Sequence, residues 1–390
     1  MKKRILRAAA LLLSLACLIL PAAAAGEAVA LRGIAEDSVP DANGIGAAAV
    51  WNIENETFVY EHNVDAPLAP ASLTKLMTAV CAYEVLGGRM DETLTVEYGM
   101  IAAASGNQVG YYVGETVTVR DLFGGLLTRG ANDCAYLLAY AADGGTDAFV
   151  ARMNEKAAAL GMSATVYKNP TGMNAEGAVT TARDSIRVAA AFYASPALTA
   201  LSSSVQYEMP ATNKAAARII YNRNALVSRV SETGYFDARV TGLNAGSTVE
   251  SGYYAASAVG SETLHYVIAV LGAAEAEGRN LAYTYTSKLA DYALSRFGYI
   301  EVIKAAGAVC ELPVTLSSTA DYVALVPATS LTLYLPLSTD VDTELVKTVR
   351  LDHESLEAPV EAGRAVGVYS VSRGGELLGS VDLVTKNALP

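Results

Sequence analysis

Histidine occurs only three times and tryptophan once in this 390-residue chain, and the shortage of histidine removes the commonest catalytic base. A Ser-His-Asp enzyme would have to draw on His62, His265 or His353. His265 lies in an apolar strand-like run, His62 in a turn and His353 in β-rich terminal text, and no G-x-S-x-G accompanies them, so each reads as structural or exposed. Cysteine is too sparse for a disulfide framework. Cys17 sits in the N-terminal apolar segment and is expected to leave with it, while Cys81 and Cys134 in helical runs and Cys310 in a strand read as free thiols. No H-E-x-x-H, paired C-x-x-C or aspartate-rich calcium loop occurs, so neither a metal nor another cofactor is expected. Basic residues are also short, 28 Lys and Arg against 40 Asp and Glu. With no basic cluster beyond the first seven residues, nucleic acid is not an expected partner.

What is abundant is apolar: 52% of residues are hydrophobic, enough for a large core, and the length suggests two domains. Lys2, Lys3, Arg4 and Arg7 precede an apolar stretch over residues 8–20 and small residues over 21–25. This is the pattern of a secretory signal peptide cut near Ala25, with an uncleaved anchor as the alternative. Removing residues 1–25 takes away four bases and no acid, leaving 24 against 40 and a net charge of −16. The mature chain is expected to be acidic and exported.

The organising stretch is Pro70-Ala71-Ser72-Leu73-Thr74-Lys75, a hydroxyl and an amine three residues apart before the apolar run 76–86. Pro70 suits a helix start, because its φ is preset and it lacks an N–H that the first turn would leave unpaired. Positions i and i+3 share a helix face, which brings Ser72 Oγ and Lys75 Nζ within hydrogen-bonding reach. A serine needs a neighbouring base to become a nucleophile. Lys75 is that base only when neutral, and both burial and the positive end of the helix dipole lower its pKa. S-x-x-K alone recurs by chance in chains of this length, so the remaining text has to support it.

Residues 46–53 and 57–61 read as a hairpin leading to the Ser72 helix. Residues 93–118 are turn-rich, 119–127 helical, and Gly130-Ala131 a break after which Asn132-Asp133 caps a helix over 134–142. Helices are expected at 146–160, from 180 to about 193 and at 281–297, and strands at 235–240, 252–259 and 264–271. After Gly298 the text is β-branched with Pro313, Pro327, Pro336 and Pro359, read as a separate small all-β domain.

From about Gly46 to Phe297 and on into the β text, the sequence resembles the low-molecular-mass penicillin-binding D-alanyl-D-alanine carboxypeptidases. The pieces that carry this are Ala71-Ser72-Leu73-Thr74-Lys75-Leu76-Met77-Thr78-Ala79, Val119-Arg120-Asp121-Leu122 leading to Asn132-Asp133, Asn169-Pro170, Thr181-Ala182-Arg183-Asp184, Asn222-Arg223-Asn224 and Gly242-Leu243 to Gly246-Ser247-Thr248. The resemblance implies an α/β (mixed α+β) fold of the penicillin-binding and β-lactamase kind, a mixed sheet with flanking helices, followed by the small β domain. The expected division is signal 1–25, peptidase domain 26–298 and β domain 299–390. The implied activity is extracytoplasmic removal of terminal D-alanine from peptidoglycan stem peptides through an acyl-enzyme on Ser72, with Lys75 as base and β-lactams as covalent inhibitors.

Two motifs depart from the family pattern. S-x-N reads Gly130-Ala131-Asn132, which leaves Asn132 to bind the substrate amide but removes the serine that helps move the proton; Ser105-Gly106-Asn107 precedes the helix that should lead into the motif and is set aside as a decoy. K-T-G reads Asn244-Ala245-Gly246, which keeps Gly246 but loses the lysine charge and the threonine hydroxyl. Asn244, Gly246 and Thr248 remain as substrate-binding positions, with Arg223 and Arg279 as candidates to hold the substrate carboxylate. These losses set a slow carboxypeptidase beside a second class of reading, a pseudoenzyme that binds peptidoglycan or scaffolds the envelope. A β-lactamase is disfavoured, because no deacylating glutamate loop is found. The stretch 383–390 is too short and strand-like for the amphipathic membrane helix that ends many relatives, so a cleaved chain is expected to be soluble. Its oligomeric state is left open.

Overall fold

The computed structural model describes residues 39–230, 234–305 and 307–390. The signal-peptide reading of residues 1–25 lies outside the described residues. Two compact units are resolved, one ending at Ser295 and the other formed by Arg296–Pro390.

In the first unit, β1 (Ala47–Asn52) and β2 (Thr57–His62) form the expected hairpin, and α1 (Thr74–Leu86) follows. The turn-rich stretch contains β3 (Thr93–Thr95), the short α2 (Tyr98–Ile101) and β4 (Thr116–Thr118) before α3 (Val119–Gly124), which runs into a wider turn over Gly125–Arg129. Then come α4 (Asn132–Asp143), α5 (Thr146–Ala159), α6 (Ala182–Tyr193) and α7 (Pro196–Ser203). The paired strands β5 (Gln206–Met209) and β6 (Arg218–Tyr221) precede β7 (Val240–Thr248), β8 (Gly252–Gly260), β9 (His265–Ala273), the small ribbon β10 (Glu275–Ala276) and β11 (Arg279–Asn280), and α8 (Leu281–Arg296).

The main sheet has the order β2-β1-β9-β8-β7. Every neighbouring pair in it is antiparallel, which corrects the expected mixed sheet. Short connections join β1 to β2 and β7 to β8 to β9, and short connections permit only antiparallel neighbours. Residues 235–239 precede the strand expected there. Asp237 closes a turn in which its carboxylate accepts from the Arg239 amide at 3.1 Å and its carbonyl from Val240, so β7 starts at Val240. Helix α7 lies outside the expected elements, although Ser195 followed by Pro196 at its first position is a start signal.

Helix α1 is apolar on nearly every face and packs against α4, α5 and α6, with Leu76, Met77, Ala79, Cys81 and Leu86 fully buried. Helix α6 lies on β1 and β9. At the start of α4, Ala131 rather than Asn132-Asp133 holds the cap position. Asp133 sits in the first turn instead, where its carboxylate accepts from Val109 N at 3.1 Å and Gly110 N at 2.8 Å. An acid there also suits the helix dipole.

The second unit is all β. It contains β12 (Phe297–Ile303), β13 (Cys310–Thr315), β14 (Tyr322–Pro327), β15 (Leu331–Pro336), β16 (Val346–Leu351), β17 (Leu356–Glu357), β18 (Ala365–Arg373) and β19 (Glu376–Thr385). Six of these form a sheet in the order β16-β18-β19-β14-β13-β17, and β12 pairs with β15. Leu312, Val323, Leu325, Val366 and Leu383 make its core. Among the described residues no helix is long and apolar enough to cross a membrane.

Candidate active site

Ser72 is carried on a tight turn, Ala71–Leu73, between Pro70 and α1. Ala71 adopts φ +44°, a left-handed backbone that costs an L residue roughly 1–2 kcal/mol, so the turn that presents the hydroxyl is held under strain by its surroundings. Lys75, in the first turn of α1, is 1% exposed. Its Nζ donates to Ser72 Oγ at 2.7 Å and to the Thr171 carbonyl at 2.8 Å. Burial alone pushes its pKa from 10.5 down to about 7, so near neutrality a large fraction carries a free lone pair. That is the state a general base requires.

The loop at residues 169–173 locks this pair. Asn169 Oδ1 accepts from Thr171 N, Thr171 Oγ1 and Gly172 N at 3.1, 2.8 and 2.7 Å, and Thr78 Oγ1 donates to the Pro170 carbonyl at 2.6 Å. Gly172 has φ +76°, and a Cβ there would coincide with the Ala71 carbonyl and lie 2.8 Å from Thr74 Oγ1. Only glycine allows the loop to seat against the Ser72 turn.

The second wall is the turn into α4. Gly130 has φ +68° and no side chain to move a proton. Asn132 is 4% exposed; its Nδ2 donates to the Ser105 carbonyl at 2.6 Å, and its Oδ1 is buried without a partner. Ser105-Gly106-Asn107, set aside as a motif, packs directly on this turn. Asn132 N donates to the Asn107 carbonyl at 2.7 Å, and Asn107 Nδ2 donates to the Arg129 carbonyl. Arg223 then reaches Asn107 Oδ1 at 3.1 Å, which ties it to this wall through a neighbour.

The third wall is β7. Asn244 is 8% exposed, with Oδ1 buried and unpartnered, and Gly246 stands opposite Tyr254 of β8. The Tyr254 hydroxyl lies against Ser72, a neighbour that no sequence pattern singled out. Thr248, at the end of β7, bonds Ser251 at 2.7 Å and lines a groove with Pro70, Ala71 and Gly172. Arg279 lies on exposed β11 with its guanidinium 5.8 Å from the Tyr235 ring centroid. His265 is held by Glu54 at 2.6 Å. Among the described residues no group of three His, Cys, Asp or Glu is placed to hold a metal ion.

Comparisons with known proteins match the chain over most of its length. The family model described as D-alanyl-D-alanine carboxypeptidase matches residues 38–275, and the penicillin-binding protein 5 C-terminal domain matches residues 299–390. The D-alanyl-D-alanine carboxypeptidase DacF of Bacillus subtilis is 26% identical over 341 residues, covering 86% of this chain and 83% of its own. A D-alanyl-D-alanine endopeptidase of Pseudomonas aeruginosa is 37% identical over 145 residues, 37% of this chain and 46% of its own. Among solved structures, penicillin-binding protein 6B from Escherichia coli superposes with a TM-score of 0.66 at 21% identity, covering 90% of this chain and 99% of its own. The carboxypeptidase DacD from Francisella tularensis gives 0.65 at 21% identity, covering 94% and 97%. Both structural likenesses concern the fold. Since the first family match spans more than half of the sequence, the chain belongs to the D-alanyl-D-alanine carboxypeptidase family.

Proposed function

We propose that this protein is an exported serine-type D-alanyl-D-alanine carboxypeptidase that acts slowly on peptidoglycan stem peptides. The observation that carries the reading is the fully buried Lys75 amine, 2.7 Å from Ser72 Oγ and held near pKa 7. Ser72 Oγ attacks the carbonyl between the two terminal D-alanines while its proton passes to Lys75 Nζ. Lys75 Nζ then passes that proton to the leaving amine as the C–N bond breaks, releasing D-alanine and leaving an ester on Ser72; water then cleaves the ester. Asn132 Oδ1, buried and unpartnered, suits the N–H of the substrate amide. Arg223, bonded to Asn107 beside Asn132, and Arg279 are the candidates to meet the substrate carboxylate. The N-terminal pattern and the acidic mature composition support export, and the strand-rich text from residue 299 supports a separable β domain.

The rate is expected to be low. Asn244 offers no charge where the family has lysine, and a charge-assisted hydrogen bond is worth roughly 1.5–3 kcal/mol, or about one to two orders of magnitude in rate. The same gap favours a second reading, a peptidoglycan-binding pseudoenzyme, because Gly130 and Ala245 lack both hydroxyls. Incubation with a labelled penicillin followed by intact-mass measurement separates the two. The enzyme reading expects one adduct, lost in Ser72→Ala and forming faster as pH rises through about 7, where Lys75 loses its proton. A chain that stays unmodified supports the pseudoenzyme.

A further inference from the structure

An acyl oxygen attached at Ser72 gains negative charge in the transition state, and the nearest backbone donor to it is the Ser72 N–H itself. In the resting protein that donor faces the Tyr254 phenol. The Tyr254 hydroxyl lies against both the backbone and the side chain of Ser72. Ser72 Oγ thus has two polar neighbours, Lys75 Nζ at 2.7 Å and the Tyr254 hydroxyl.

The fold builds this contact. Tyr254 stands opposite Gly246 in the β7–β8 register, and both strands run against the Ala71–Leu73 turn. A Cβ at position 246 would fall 2.9 Å from the Tyr254 Cζ and overlap its oxygen. Glycine at 246 therefore opens the slot in which the phenol lies, and at 3% exposure the ring fills that slot without solvent around it.

We propose that Tyr254 is an internal cap on Ser72, its phenol oxygen occupying the position of the substrate's scissile carbonyl oxygen, so that a substrate acylates Ser72 only after displacing it. This rests on the reading of Ser72 as the acylated residue. Displacement frees the Ser72 N–H for the incoming oxygen and leaves Lys75 as the polar neighbour of Ser72 Oγ.

The test compares the wild-type protein with Tyr254→Phe, which keeps the ring and removes the hydroxyl. Adduct formation with labelled penicillin is followed by intact mass, and hydrogen exchange is read without penicillin in peptides spanning Ser72. Tyr254→Leu repeats both measurements if the Phe variant does not fold. The cap predicts faster exchange at the Ser72 amide and adduct formation about three- to tenfold faster, the worth of one ordinary hydrogen bond. The gain should vanish with Ser72→Ala. Equal or slower labelling of the variant, with both proteins acylated, overturns the cap and leaves Ser72 as nucleophile; a slower rate would make the phenol a donor to the oxyanion instead. No adduct in either protein overturns both readings.

Discussion

Replacing Lys75 by methionine should stabilise this fold at neutral pH while abolishing its acylation, and the size of the gain should depend on pH in a way that few core substitutions show. The drop in pKa from 10.5 to about 7, at about 1.4 kcal/mol per pH unit, corresponds to roughly 5 kcal/mol. The sign follows from which state holds the proton. Above pH 10.5 the amine is neutral in both folded and unfolded chains and burial carries no ionisation cost. Between 10.5 and 7 the unfolded chain gains a proton that the folded chain excludes, so stability falls as pH falls, and below 7 the cost is complete. Methionine removes this cost but also forfeits the hydrogen bonds to Ser72 Oγ and the Thr171 carbonyl, about 1 kcal/mol each. Lys75→Met should therefore gain roughly 3 kcal/mol at pH 7 and below, break even near pH 9 and lose roughly 2 kcal/mol above pH 10.5. Urea unfolding of the two proteins at pH 6, 8 and 10 measures it. A stability difference that stays constant across that range would refute a desolvated amine, and with it the account of how Ser72 is activated.

Three further outcomes are expected. Asn244→Lys with Ala245→Thr should raise penicillin labelling about ten- to hundredfold; adding Gly130→Ser should lower Tm, because φ +68° at that position costs serine roughly 1–2 kcal/mol, and D-alanine release from a model peptide reports whether the regained hydroxyl compensates. Gly172→Ala should destabilise by at least about 1–3 kcal/mol and silence labelling, since its methyl would coincide with the Ala71 carbonyl; a stable variant that labels normally would show that the loop yields. Residues 26–298 expressed alone should unfold cooperatively, and an aggregating fragment would move the proposed boundary.

The parts of the fold legible in the sequence are those governed by local periodicity. The β1–β2 hairpin, α1 and α8 follow from alternation or from apolar runs, and the approach of Lys75 to Ser72 needs only a helical turn. What the text does not reveal is mostly long-range. Thr171, which fixes the amine, lies 96 residues from Lys75, and Tyr254 occupies a strand whose alternation looks like that of its neighbours. The antiparallel pairing of β1 with β9 joins distant segments, which no periodicity encodes. Residues 235–239 alternate as a strand would, yet the Asp237 turn overrides them. Ser105-Gly106-Asn107 is the instructive case: its order in the chain argues against a motif, while its place in space, bonded to Asn132 and Arg223, makes it part of the cleft wall.

The seating of the 169–173 loop against the Ser72 turn also fixes when the chemistry begins. Until Gly172 meets Ala71 and the Thr171 carbonyl meets Lys75, the lysine is an ordinary solvated amine near pKa 10.5 and the serine beside it is inert. On the proposed mechanism, ester formation at Ser72 would belong to completed molecules alone, and a labelled penicillin added during refolding would count only the chains in which these two distant segments have joined.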